Sequence, residues 1–74
     1  MVLRRIRDLR EDNDLTQGQL AKELYCCLGT YAKYERGEIK VSIEVLCYLA
    51  DFYKVSVDYI LMRTDDPTPP KKRR

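Results

Sequence analysis

The chain has no histidine, and its three cysteines, Cys26, Cys27 and Cys47, are odd in number with no Cys-x-x-Cys spacing. A structural zinc site needs about four Cys or His ligands at loop spacing, so no metal centre is expected and the thiols read as reduced and partly buried. Without histidine there is no Ser-His or Cys-His pair. Nor is there a phosphate-cradling glycine loop or a carboxylate pair in a recognisable setting, so an enzyme is not expected and no cofactor is called for. No apolar run approaches the ~20 residues of a membrane span. Met1-Val2-Leu3 leads straight into Arg4 and Arg5, without the apolar core of a signal peptide. The expectation is a cytoplasmic protein with no membrane partner.

A basic excess is missing too, once the charges are placed. The formal net charge is +2 over 74 residues, but Lys71-Lys72-Arg73-Arg74 carries four of the positive charges. Residues 1–70 hold ten basic and twelve acidic groups. A basic domain is the usual electrostatic mark of a nucleic-acid binder, so such a function must rest here on a motif, on local charge placement and on the C-terminal residues. One small domain of this length is marginally stable alone, and dimerisation would relieve that.

What the chain does contain is helical periodicity. Leu3, Ile6 and Leu9 make an apolar stripe over 2–12, with charged residues on the other faces. Asn13-Asp14 is a turn. Thr16 and Gln19 have the spacing of a capping box, and Leu20, Ala21 and Leu24 share one face of a second helix over 17–24. A third helix over 28–36 ends at Gly37, where a left-handed residue closes a helix cheaply. Ser42 caps a fourth over 43–53, and Ser56 a short fifth over 57–62. Three prolines between 67 and 70 bar a helix there. Residues 1–63 therefore read as an all-α domain of five helices, and 64–74 as a flexible, proline-rich basic tail. Two short helices joined by a tight turn form the unit that places one helix in a DNA major groove.

These segments resemble one family. Ile6-Arg7-x-Leu9-Arg10, Leu15-Thr16-Gln17-x-x-Leu20-Ala21-x-x-Leu24, Tyr34-Glu35-x-Gly37 and Leu46-x-x-Leu49-Ala50-Asp51-Phe52-Tyr53-x-Val55-Ser56-Val57-Asp58-Tyr59-Ile60-Leu61 stand in the order of the phage-repressor/Cro-like, or Xre-like, helix-turn-helix regulators. The resemblance covers residues 3–64 and implies a five-helix lambda-repressor-like fold. It makes the third helix the recognition helix, lets the start of the second touch phosphate, and pairs Arg10 with Glu35.

The recognition helix departs from the family pattern. Its cap position is Cys27, a poor cap, and Gly29 lies within it; each costs about 1 kcal/mol. Leu28 is restricted to apolar contacts such as a thymine methyl. Gly29 allows close backbone approach. Thr30 and Lys33 are the polar groups left on the outer face. Shape readout and phosphate contacts should then carry more of the recognition. Thr16, Gln17 and Gly18 at the start of the second helix, with Arg36 and Lys40 flanking the end of the third, are the expected phosphate contacts. Residues 71–74 are open to two readings, a phosphate-binding arm or a solubilising end.

Six tyrosines suggest base stacking, but Tyr31, Tyr34, Tyr48, Tyr53 and Tyr59 fall at positions that suit a core or an interface; Tyr25 is the one expected to be exposed. The expected function is sequence-specific double-stranded DNA binding as a homodimeric transcriptional regulator, a repressor by type, with Phe52, Val57, Tyr59, Ile60 and Met62 at the dimer interface. The alternative is a protein-interaction or antitoxin-like module of the same fold with weakened base readout. A redox response at Cys26-Cys27 is a further reading, although adjacent cysteines form strained disulfides.

Overall fold

Five α-helices follow one another in the computed structural model, which describes residues 3–69: α1 (Arg4–Asp12), α2 (Gln17–Glu23), α3 (Leu28–Arg36), α4 (Ile43–Tyr53) and α5 (Val57–Ile60). Three of them start at the caps expected from sequence. Thr16 Oγ1 accepts from the Gln19 N–H at 3.1 Å while Gln19 Oε1 accepts from the Thr16 N–H at 2.7 Å, which completes the capping box. Ser42 Oγ and Ser56 Oγ accept from Val45 N–H (3.2 Å) and Tyr59 N–H (3.0 Å). Helices α1 and α3 begin without a side-chain cap.

The corners share one device. Within two residues of each helix end the chain takes a left-handed residue, at Asp14, Tyr25, Gly37, Lys54 and Met62, and only Gly37 is a glycine. A left-handed residue turns the chain sharply and returns N–H groups to the last carbonyls, as Glu38 N–H does to Lys33 O at 3.0 Å. The expected fifth helix runs to 62, whereas α5 stops at Ile60 because Met62 is left-handed.

The packing is as economical as the corners. Ile6, Leu20, Tyr31, Leu49 and Ile60 are the largest fully buried side chains, and each of the five helices supplies one. Helix α2 packs on α3 and α4 on α5, while α1 touches both α3 and α5 and joins the two pairs. A helix of four or seven residues is not stable by itself, so these elements exist through that shared core.

The segment after α5, read from sequence as a free tail, is fastened in its first part. Arg5 Nη1 donates to Tyr59 O (2.9 Å) and to Thr64 O, and Nη2 reaches Asp65 Oδ1 at 2.6 Å. Ser56 N–H donates to Pro67 O at 3.1 Å. The basic residues 71–74, like Met1 and Val2, lie outside the described residues. No described helix is long and apolar enough to cross a membrane.

Candidate nucleic-acid interface

One guanidinium group organises the site. Arg10, on α1, donates from Nε to Glu35 Oε2 at 2.7 Å and from Nη2 to Oε1 at 3.3 Å; Nη1 donates to Leu15 O at 2.9 Å. Glu35, near the end of α3, also accepts from Gln17 Nε2 at 2.9 Å. The first residue of α2, the loop before it, α1 and α3 are thus tied to one buried carboxylate, whose side chain is 3% exposed. Burial alone would raise the Glu35 pKa, but the hydrogen bonds from Arg10 and its other donors outweigh it and hold the carboxyl below its ordinary value. The same bond to Glu35 raises Arg10, so the pair is charged together. Beside it burial pushes the Tyr53 phenol up to about 12 and Tyr31 higher still, and both stay neutral.

This tie orients α3. Tyr31 and Glu35, four apart, face inward and are buried; Gly29, Lys33 and Arg36 repeat at four and three on the opposite side and are exposed, and Leu28 is exposed as the first residue of the helix. Nothing lies within 4 Å of where a Cβ on Gly29 would stand, so the start of α3 offers bare backbone to an incoming surface. Leu28 is 54% exposed, a large apolar side chain at the tip of a helix.

The other expected contacts distribute unevenly. Thr16 and Gly18 are exposed at the start of α2, Arg36 at the last position of α3 and Lys40 beyond it. Gln17 is turned inward, so its main-chain N–H and its second amide hydrogen are what remain for an outside acceptor. Thr30 is half-buried, its Oγ1 3.1 Å from Cys27 Sγ, and looks along the helix start rather than outward. The Cys27 Sγ thus meets the Thr30 hydroxyl, and no side-chain cap forms on the backbone N–H groups of α3. That hydrogen bond lowers the Cys27 pKa, whereas burial raises that of Cys26. Cys26 is half-buried as expected; Cys27 and Cys47 are exposed, a correction to the reading of all three as partly buried.

The expected dimer face needs a second correction. Ile60 is fully buried in the domain's own core, because a four-residue helix has a single inward position and Ile60 fills it between α1 and α4. Val57, Tyr59 and Met62 are half-buried, and the Arg5 guanidinium covers the Tyr59 ring at 4.1 Å from its centroid. Phe52 is 38% exposed and stacks on Tyr48, itself 40% exposed. Tyr31 is in the core, Tyr34 and Tyr53 are half-buried, and Tyr25 is 96% exposed.

One residue near the site was not singled out from sequence. Arg7 lines a small cleft together with Arg10, Glu11, Gln17, Glu35 and Arg36. The signal was available: Arg7 lies three residues before Arg10 and so on the same side of α1. A larger cavity, about 760 Å³, lies elsewhere, between α4, α5 and residues 64–69.

Comparison with known proteins agrees with this geometry. A family model described as a helix-turn-helix domain matches residues 3–59. The chain is 42% identical over 74 residues to a protein named uncharacterized HTH-type transcriptional regulator YobD of Bacillus subtilis, covering 100% of this chain and 66% of that one. It is 37% identical over 57 residues to the cryptic phage CTXphi transcriptional repressor RstR of Vibrio cholerae, covering 77% of this chain and 51% of the repressor. Against RstR of the El Tor strain N16961 the identity is 34% over 62 residues, 84% of this chain and 55% of the other. The chain thus spans less than two thirds of the length of these relatives. No solved structure matches it significantly.

Proposed function

The chain belongs to the helix-turn-helix family of Xre-like regulators, and from that premise we propose that it is a cytoplasmic, non-enzymatic regulator of transcription that binds double-stranded DNA with α3 in the major groove. The observation that carries the reading is the exposed stripe of Gly29, Lys33 and Arg36, with Leu28 exposed at the helix start, held at a set angle by the Arg10–Glu35–Gln17 cluster behind it. A recognition helix must be rigid relative to its neighbours, since a groove tolerates little error in where side chains arrive. The stripe is short of hydrogen-bonding groups, so Lys33 supplies the one long polar reach to bases. Leu28 offers apolar contact and the Gly29 backbone offers close fit. Thr16, Gln17 and Gly18 on one flank and Arg36 and Lys40 on the other contact phosphates, and Cys27 and Thr30 border the groove at the helix start.

Dimerisation through Phe52, Val57, Tyr59 and Met62 would place two recognition helices about 34 Å apart on a pseudo-palindrome. The RstR relatives, named as repressors, support repression as the mode of action. The test is selection from a random duplex pool with the full chain, followed by titration of the winners against salt. A palindromic winner bound far more tightly than random duplex supports the reading. A pool with no enrichment refutes it, and the exposed, apolar start of α3 would then favour a docking surface for a protein partner.

A further inference from the structure

Where α1, α2 and α3 meet, six side chains enclose a cleft of about 250 Å³: Arg7, Arg10, Glu11, Gln17, Glu35 and Arg36. Two of its three arginines are not committed to the interior. Arg10 is bound to the buried Glu35. Among the described residues Arg7 is held only by an exposed pair with Glu11, Nε to Oε2 at 3.1 Å, and Arg36 only by an exposed pair with Glu38. Exposed pairs of this kind contribute little to stability and are readily exchanged for a better acceptor. Arg36 is also the last member of the outward stripe Gly29, Lys33, Arg36. The cleft therefore opens at the edge of the surface that would face a groove, where a strand's phosphates run.

Resting on the DNA-binding reading, we infer that this cleft is a phosphate clamp in which Arg7 from α1 and Arg36 from α3 close on one backbone phosphate. The guanidinium groups leave Glu11 and Glu38 for the phosphate oxygens, a charge-assisted and bidentate match that a carboxylate on a mobile surface side chain makes less well. The clamp ties α1 to the DNA, a helix that otherwise serves as the internal clasp. Because it touches no base, it adds affinity without sequence preference. Glu11 acts as its brake, since any DNA phosphate must displace that carboxylate from Arg7.

The experiment titrates the full chain, Arg7→Gln and Glu11→Gln against two duplexes of equal length, the selected site and a random sequence, over a salt series. Arg7→Gln is expected to weaken both duplexes by the same factor, roughly three- to tenfold near 0.15 M salt, and to lower the slope of log affinity against log salt by about one. Glu11→Gln is expected to tighten both. The circular-dichroism melting curve of Arg7→Gln should match that of the parent, since the side chain is exposed. Parent-like affinity and slope for Arg7→Gln, with the parent itself binding, overturn the clamp alone. So does a loss confined to the selected site, which would make Arg7 a base reader. A parent that binds neither duplex overturns the clamp and the DNA-binding reading together.

Discussion

Replacing Glu35 by glutamine tests whether one buried charge pair holds the recognition helix in place. The substitution keeps the shape of the side chain and removes its charge. Arg10, whose side chain is 13% exposed, then loses its buried counter-ion and keeps only the half-exposed Glu11 carboxylate, 3.9 Å from Nη2, and losing one partner of a buried pair costs about 3–5 kcal/mol. A domain of this size has only about 4–11 kcal/mol in total. At about 4–8 °C per kcal/mol, the melting temperature should fall by at least ~12 °C. Glu35→Gln is therefore expected to be partly unfolded at room temperature or close to it. Urea denaturation followed by circular dichroism reads the loss directly. Removing both partners, in Arg10→Met with Glu35→Leu, should recover most of it, because no unpaired charge remains. The pH dependence supplies a second reading. The Glu35 pKa is lowered on folding, so its contribution is complete above the ordinary carboxylate range and is lost as pH falls through the folded-state value. The gap between the parent and Glu35→Gln should then narrow in acid. A loss under 1 kcal/mol at neutral pH, or a gap that widens in acid, would refute the reasoning.

Further outcomes follow from particular residues. Tyr25 is left-handed and 96% exposed, so Tyr25→Gly loses no burial and should stabilise the domain by up to about 1 kcal/mol in urea melts. Cys27→Ser should do likewise, by about 1 kcal/mol, by giving α3 the side-chain cap on the Thr30 N–H that it lacks. Cys27, exposed and with a lowered pKa, should be alkylated by iodoacetamide well before the half-buried Cys26, whose pKa is raised; peptide mass spectrometry gives the order. Ile60→Ala should cost about 2–5 kcal/mol in the folding of the single chain. Phe52→Ala, at a side chain 38% exposed, should cost the single chain less than Ile60→Ala and should lower self-association, measured by sedimentation.

Much of this architecture could be read directly, because its signals are local. The spacing of Leu20, Ala21 and Leu24, the Thr16–Gln19 box and the serines ahead of α4 and α5 each act within a few residues, and the helices start where those residues stand. The Arg10–Glu35 pair was different. Nothing in the spacing of two charges 25 residues apart joins them, and only likeness to a family suggested it. Ile60 was misjudged for the same reason. Apolar periodicity says that a short helix has an inner side, but whether a given residue fills the core or meets a second copy depends on what packs against it.

The division follows from the range of the forces. Caps, turns and helical periodicity are set by backbone hydrogen bonds and sterics between near neighbours, so the sequence by itself determined the five helices and the caps of three of them. Burial of Glu35, the inward turn of Gln17, the opening of the cleft beside Arg7 and the fastening of residues 64–67 to Arg5 and Ser56 join residues far apart in the chain. Those arise only when α1 closes over the other two helix pairs, because desolvation and ion pairing depend on distances that the tertiary fold alone creates.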